Sequence, residues 1–404
     1  MRILWVSGWW KFTGSYSVVT RAMLPRLADL VGRDNVALAA IGAFADAPYM
    51  DEWLRVFPLG PNMPQGRPGD AAEIARRAAG FNPDVVVFLF EPRTCPGLAE
   101  AFPAARVLYW MPIDLDPMSR FDLAAISGGA VPVAMSRFGL DQLQRAGLKS
   151  AAYVPLGVDT RAFRVLPIPA ELAQLRTWLV GPGCEHLTVI VAANYPVIVG
   201  DRKHFQGMLA SWAEFAADKG QGARLYCHTN PMVMADEEVG TPDLYALADA
   251  LGIGDRVFFP PSATSLGAGY PDEFMPMLYN AADVLLATTA GEGFGLPIVE
   301  AQACGVPVVV TDWTAMPELV RWGQAVKPAG RQWYLPQRSW WAWPDVHGAA
   351  QALQALYDEW QACGGVWPLE RRRAVCAAIR SEYSWDVVFN RYWAPLVRQI
   401  CKEG

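Results

Sequence analysis

Unbroken apolar runs alternate with stretches of helical periodicity along the first part of the sequence. The runs are residues 2–7, 35–41, 84–90 and 105–111, while Val18, Val19, Ala22, Met23, Leu27, Leu30 and Val31 recur at helical spacing, as does 71–79. A strand with one wet face alternates apolar and polar residues. A strand apolar throughout is buried on both faces, and with helices between such strands the outcome is a parallel sheet covered on both sides. The same pattern restarts after Val165-Leu166-Pro167-Ile168-Pro169 and Gly181-Pro182-Gly183, which read as a linker with short irregular structure. Beyond it, 187–192, 223–227, 256–259, 284–287 and 306–310 are five further buried strands, and 346–400 is mostly helical.

The predicted fold is therefore α/β, with two doubly wound, Rossmann-like domains. A length of 404 residues fits that division. The expected boundaries are 1–165 for the first domain and 178–384 for the second, with 385–404 returning to pack on the first. Ligands of open α/β sheets bind at the carboxyl ends of the strands. Function is thus expected in the loops there, across a cleft between the two sheets.

Composition removes several other classes. Apolar residues make up 52% and charged residues 18%, so a soluble globular chain is expected and a disordered one is excluded. Net charge is −6, which supplies no global cationic field for nucleic acid. No run is long enough to span a membrane, and Ser7-Gly8 interrupts the N-terminal run too soon for a secretory signal. The seven cysteines are scattered and never in Cys-x-x-Cys spacing, which suits a reducing cytoplasm. With only His186, His204, His228 and His347, no histidine-rich metal cage is expected.

The most informative stretch runs from Thr288 to Val310: Thr-Thr-Ala-Gly-Glu-Gly-Phe-Gly-Leu-Pro-Ile-Val-Glu-Ala-Gln-Ala-Cys-Gly-Val-Pro-Val-Val-Val. A buried strand ends near Ala287, and Gly291, Gly293 and Gly295 let the backbone approach a ligand closely. Pro297 suits the first turn of a helix that Gly305 closes. A glycine loop feeding a helix N-terminus is an anion site, with free N–H groups and the positive end of the dipole aimed at a phosphate. Two carboxylates flank it: Glu292 in the loop and Glu300, read as lying in the first helical turn. A carboxylate accepts two hydrogen bonds from a vicinal diol, so Glu300 suits a ribose and Glu292 the hydroxyls of a sugar. The plain alternative is that Glu300 only complements the helix dipole.

This stretch resembles the Glu-x7-Glu signature of retaining, nucleotide-sugar-dependent glycosyltransferases of the GT-B architecture, family 4 type. The resemblance implies that Glu292 contacts the transferred sugar, that the backbone of Gly293, Phe294, Gly295 and Leu296 contacts sugar and phosphate, and that Glu300 binds the ribose. Pro155–Phe163, Tyr279–Val284, Ser136-Arg137-Phe138 and Pro317–Val320 are similar to further family segments, all read as structural. The family usually sets an Arg and then a Lys against the diphosphate. Here Lys203 matches the Lys, Asn194 stands at the Arg position before an apparent insertion at 196–200, and Arg202 is a substitute. Cations just before the helix that starts at Phe205 are disfavoured by its dipole unless an anion binds nearby. In the first domain, Gly14 and Ser15 match a loop near the donor phosphate, and Asp114 stands where relatives carry a His or Asp facing the transferred sugar. Trp9 and Trp10 could stack on a sugar, but in a chain with 17 tryptophans ordinary packing explains them equally well.

The resemblance implies metal-independent transfer of a sugar from a nucleoside diphosphate donor, UDP- or GDP-linked, with no other cofactor. The acceptor is a hydroxyl on a glycan, a lipid-linked sugar, a small molecule or a modified macromolecule. Three alternatives compete. Gly291-x-Gly293-x-Gly295 followed by Asp312 imitates an NAD(P) fingerprint, although Leu296 replaces the third glycine and Glu292 would repel a pyrophosphate. Asp114-Leu115-Asp116 imitates a metal-binding Asp-x-Asp. A third reading has a nucleotide or glycan bound without turnover.

Overall fold

A computed structural model describes residues 1–404 apart from 13, 44, 46, 61–69, 127–128, 194–200, 233–242, 262–269 and 404. The chain forms two compact units. The first comprises Met1–Gly157, Tyr334–Ser339 and Tyr383–Gly404; the second comprises Val158–Trp333 and Trp340–Glu382.

In the first unit the strands are β1 (Ile3–Gly8), β2 (Val36–Ile41), β3 (Tyr49–Asp51), β4 (Leu54–Pro58), β5 (Val85–Phe88), β6 (Arg106–Met111), β7 (Val131–Ala134) and β8 (Ala152–Tyr153). They form one sheet in the order β3-β4-β2-β1-β5-β6-β7-β8, parallel except for the β3–β4 pair. Ile3 to Val6 and Val107 to Met111 are buried on both faces, the reason these runs carry no polar alternation.

A tryptophan cluster completes this core. Trp393 lies 5.9 Å from Trp5 and 4.9 Å from Trp110, centroid to centroid. All three are fully buried. Trp393 lies in a π-helical turn, Phe389–Trp393, between the helices Trp385–Val388 and Ala394–Glu403. Gly157 lies so close to Trp385 that a Cβ there would come within 2.5 Å of the indole ring.

The second unit holds β9 (His186–Val191), β10 (Ala223–His228), β11 (Val257–Phe258), β12 (Val284–Ala287), β13 (Val308–Thr311) and β14 (Gly323–Val326). Their order, β11-β10-β9-β12-β13-β14, is all parallel. The chain winds outward from β9 to β11, then returns to the other side of β9 with β12. The topological switch point thus lies between β9 and β12, where open α/β sheets bind ligands. A separate two-stranded sheet consists of β15 (Gly330–Tyr334) and β16 (Ser339–Trp343).

One expectation is corrected. The segment read as an irregular linker contains a helix, Pro169–Val180. Pro169 opens it, where its fixed φ is an advantage, and Gly181 ends it at φ +81° with its N–H on Thr177 O. Arg176 anchors the helix, donating to Ala281 O at 2.6 Å and pairing with Asp283 at 2.9 Å.

Candidate active site

The site grows from the ends of β9 and β12. After β12, Thr289 N–H donates to Ala287 O, and Thr311 Oγ1 donates to Thr289 O at 2.7 Å, tying the loop to β13. Ala290 N–H donates to Arg202 O, so the segment following β9 and the loop following β12 are bonded backbone to backbone. The loop then turns at Gly295, with φ +112°, into the helix Leu296–Ala303. Of the three loop glycines only Gly295 has a left-handed backbone. Pro297 falls in the first turn. Gly305 closes the helix in a Schellman arrangement, with Gly305 N–H on Gln302 O and Val306 N–H on Ala301 O.

Glu292 sits at the centre. Lys203 Nζ lies 2.5 Å from Glu292 Oε1, and Arg202 Nη1 lies 3.3 Å from Oε2 while also donating to Gly291 O at 2.7 Å. The Glu292 N–H donates to Thr314 Oγ1 at 3.0 Å. Burial alone would raise the Glu292 carboxyl, but the charges of Lys203 and then Arg202 outweigh it and hold the carboxyl down at about 2. Glu292 is thus a permanent carboxylate, an acceptor of hydrogen bonds and not a proton donor.

The two cations precede the helix Phe205–Ala216, whose first turn is set by a strained residue. His204 has φ +55°, and its ring lies over Gly207, where a Cβ would come within 1.8 Å of it. Asp201 restrains the turn: its carbonyl accepts from His204 N–H at 3.0 Å and its carboxylate from Phe205 N–H at 3.2 Å. A small pocket at the switch point, open to solvent, is lined by Val191, Ala192, Lys203, Thr289, Glu292, Gly295 and Pro297 among others. Here a helix N-terminus, Lys203 and the Glu292 carboxylate converge, with Arg202 paired to the other oxygen of Glu292.

Glu300 is the fifth residue of its helix, not a first-turn residue, and it does not line this cavity. Tyr279 Oη donates to Glu300 Oε2 at 2.9 Å. Burial pushes the Glu300 carboxyl up to about 7, against a small lowering from that hydrogen bond. Tyr279, structural on the sequence reading, in fact orients Glu300. Its neighbour Asn280 is structural, accepting from Leu166 N–H and donating to Arg164 O.

Because the folded state holds a proton on Glu300 up to about pH 7 and the unfolded chain only to its ordinary 4.5, the neutral form favours folding at low pH. That contribution is lost as pH rises through 7. Glu300→Gln, neutral throughout, should match wild-type stability at pH 3.5 and exceed it by about 1–2 kcal/mol at pH 8.5. Thermal melts at both pH values test this; equal melting at pH 8.5 would show that the carboxylate is not strained.

The remaining expected residues divide by position. Gly293 and Phe294 are buried beside Glu292, and Leu296 opens the helix. Asn194 lies outside the described residues. Gly14 caps the helix Ser15–Val31 in the first unit, where a Cβ would meet nothing within 4 Å, so sterics do not demand glycine there. Asp114 follows β6 in the first unit, and its charge helps raise the Arg93 guanidinium, behind those of Asp122 and Glu91 and against the larger lowering from burial. Thr314 and Asp201 join the site without any sign in the sequence, and Tyr279 joins it from a segment read there as structural, since each acts through a contact distant in sequence or a backbone turn. Among the described residues no group of three His, Cys, Asp or Glu is placed to hold a metal ion.

Residues 202–359, spanning Arg202, Lys203, Glu292 and Glu300, match the family model described as Glycosyl transferases group 1. A stretch of 53 residues is 55% identical to O-antigen chain mannosyltransferase B of Escherichia coli, covering 13% of this chain and 14% of that protein. The chain therefore matches only a small part of that curated relative.

Solved structures are similar over the full length. Sucrose-phosphate synthase from Thermosynechococcus elongatus gives a TM-score of 0.72 at 18% identity, with 100% of both chains covered. HepE of Anabaena in complex with UDP and glucose gives 0.67 at 16% identity, covering 99% of this chain and 100% of that one. The chain thus has the GT-B fold, and the dinucleotide reading of Gly291–Gly295 is not favoured.

Proposed function

We propose that the chain transfers a sugar from a nucleoside diphosphate donor, UDP- or GDP-linked, to an acceptor hydroxyl with retention and without a metal ion. The observation that carries this reading is the triad of Glu292, Lys203 and Arg202 at the end of β9 and β12, beside the N-terminus of the helix Leu296–Ala303. Two cations against one carboxylate leave an excess positive charge, which suits a diphosphate. Glu292, ionised throughout the working range, accepts hydrogen bonds from hydroxyls of the moving sugar. Glu300 in its anionic form accepts both hydroxyls of the ribose. We assign the acceptor to the first unit, where Asp114, Gly14 and Ser15 lie.

Catalysis on this reading is electrostatic. Lys203, Arg202 and the helix N-terminus stabilise the departing diphosphate, while the acceptor attacks from the face it leaves. The relative that binds UDP and glucose supports the donor class by similarity of fold.

A screen of UDP-, GDP- and ADP-sugars with EDTA present tests the proposal, with the product anomer read by NMR. Turnover should persist and the anomeric configuration of the donor should survive. Activity that EDTA abolishes and Mn²⁺ restores, or an inverted product, would overturn it. Lys203→Ala should raise the donor KM by roughly 10- to 100-fold, the loss of one charge-assisted hydrogen bond to phosphate. An unchanged KM in the folded variant removes Lys203 from the diphosphate.

A further inference from the structure

Residues 319–344 contain Arg321, Lys327, Arg331 and Arg338 and no Asp or Glu, in a chain whose carboxylates outnumber its cations 40 to 34. Arg321 is engaged by Glu382 at 2.5 Å. The other three are exposed, Arg338 with its guanidinium 5.8 Å from the centre of the Phe121 ring. This acid-free segment builds the small sheet of β15 and β16, joined through Leu335-Pro336-Gln337-Arg338.

The hairpin shows two different surfaces. Ser339, Trp341 and Ala342 are buried, and Ala342 N–H donates to Ala290 O at 2.9 Å, which fixes β16 to the loop of the candidate site. Arg331 lies 4.9 Å from the centre of the Trp313 ring, which holds β15. Against that anchored side stand Trp333, Leu335 and Trp340, exposed by 41%, 74% and 37%, while Trp343 packs edge to face on His204 at 5.4 Å. Trp333 and Trp340 meet edge to face at 4.9 Å, so the exposed rings form a cluster. Packing of the hairpin does not account for them, because Trp341 and Ala342 already perform it.

We infer that the β15–β16 hairpin docks the protein on an anionic bilayer surface. Indole rings have an apolar body and a polar N–H, the combination that settles at the headgroup level of a membrane. Leu335, the most exposed of the three, is at the connection, where it would enter deepest. Lys327, Arg331 and Arg338 supply the second signal that peripheral attachment needs, attraction to anionic headgroups. Charge complementarity selects the occupant: an acid-free cationic segment in a net acidic chain favours an anionic lipid surface over a neutral one. Such attachment requires no spanning helix, and no helix among the described residues is long and apolar enough to cross a membrane. The inference stands apart from the proposed transfer reaction, since binding is read without donor.

The full chain is floated with vesicles of phosphatidylcholine alone and of phosphatidylcholine with phosphatidylglycerol, across a salt series. Binding is expected to the anionic vesicles only and to weaken with salt. R331Q/R338Q should lower affinity for anionic vesicles by about 30-fold, ~1 kcal/mol for each cation. W333S/L335S/W340S should abolish flotation while melting and circular dichroism stay as in the wild type, because the replaced side chains are exposed. A wild-type chain that ignores anionic vesicles at low salt overturns the proposal, as do variants that float unchanged. A hairpin whose variants lose only retention on an acidic protein, or only transfer to a soluble glycan, has another partner, and the bilayer reading then falls.

Discussion

Glu292→Gln should lower kcat by about 10²–10³-fold, the usual cost of removing one group that acts on charge or hydroxyls in the transition state. The donor side should move the other way. The amide keeps the shape of the side chain but removes the anion that Lys203 and Arg202 neutralise at 2.5 and 3.3 Å, so both cations become more available to a diphosphate. The nucleoside diphosphate product should therefore bind more tightly to the variant while turnover collapses. Calorimetry with UDP or GDP beside steady-state kinetics separates the two effects. Weaker product binding together with a normal kcat would reverse the roles given to the triad.

Trp393→Ala should cost about 3–5 kcal/mol, the range for emptying a fully buried tryptophan. Its ring fills the space between Trp5 and Trp110, and neither neighbour can collapse far: Trp5 Nε1 donates to Thr20 Oγ1 and Trp110 Nε1 to Val154 O. Deleting 385–404 should cost more, since Trp385 against Gly157 and the Arg26–Asp386 pair go too. Amide exchange gives the local readout. Protection of Ile3–Gly8 and Arg106–Met111 should fall by hundreds- to thousands-fold, while His186–Val191 keeps its own. Equal loss in both strand sets, or none, would show that Trp393 does not hold the first unit.

The strands legible from sequence are those buried on both faces, because continuous apolar runs such as Val284–Ala287 have no other easy reading. Those missed are short or at the margins. β14, Gly-Gln-Ala-Val, has no apolar run, and it pairs because Gly323, at φ +120°, permits a close approach to Val308 that a Cβ would block at 1.9 Å from its carbonyl oxygen. The helix Pro169–Val180 is hidden by the prolines before it, which read as breakers although Pro169 begins a helix. At the site, Glu292 and Glu300 declare themselves through spacing around a glycine loop. Their partners do not: Tyr279 reaches Glu300 from 21 residues away, and Thr314 reaches Glu292 from 22. Nor does spacing reveal that two carboxylates of one motif have opposite protonation behaviour. That follows from Lys203 and Arg202 facing one of them and a phenol the other.

The core of the first unit draws on stretches far apart in the chain, with Trp5 and Trp110 supplied early and Trp393 late. During synthesis its sheet can leave the ribosome long before Tyr383 is added. At about 5–20 residues per second the second unit takes on the order of tens of seconds to make, and throughout that interval the seat for Trp393 stands open. The residues of the second unit, by contrast, are all in place once Glu382 has been added. The core of the first unit is thus the last part of the fold to be completed, closed only when Trp393 arrives.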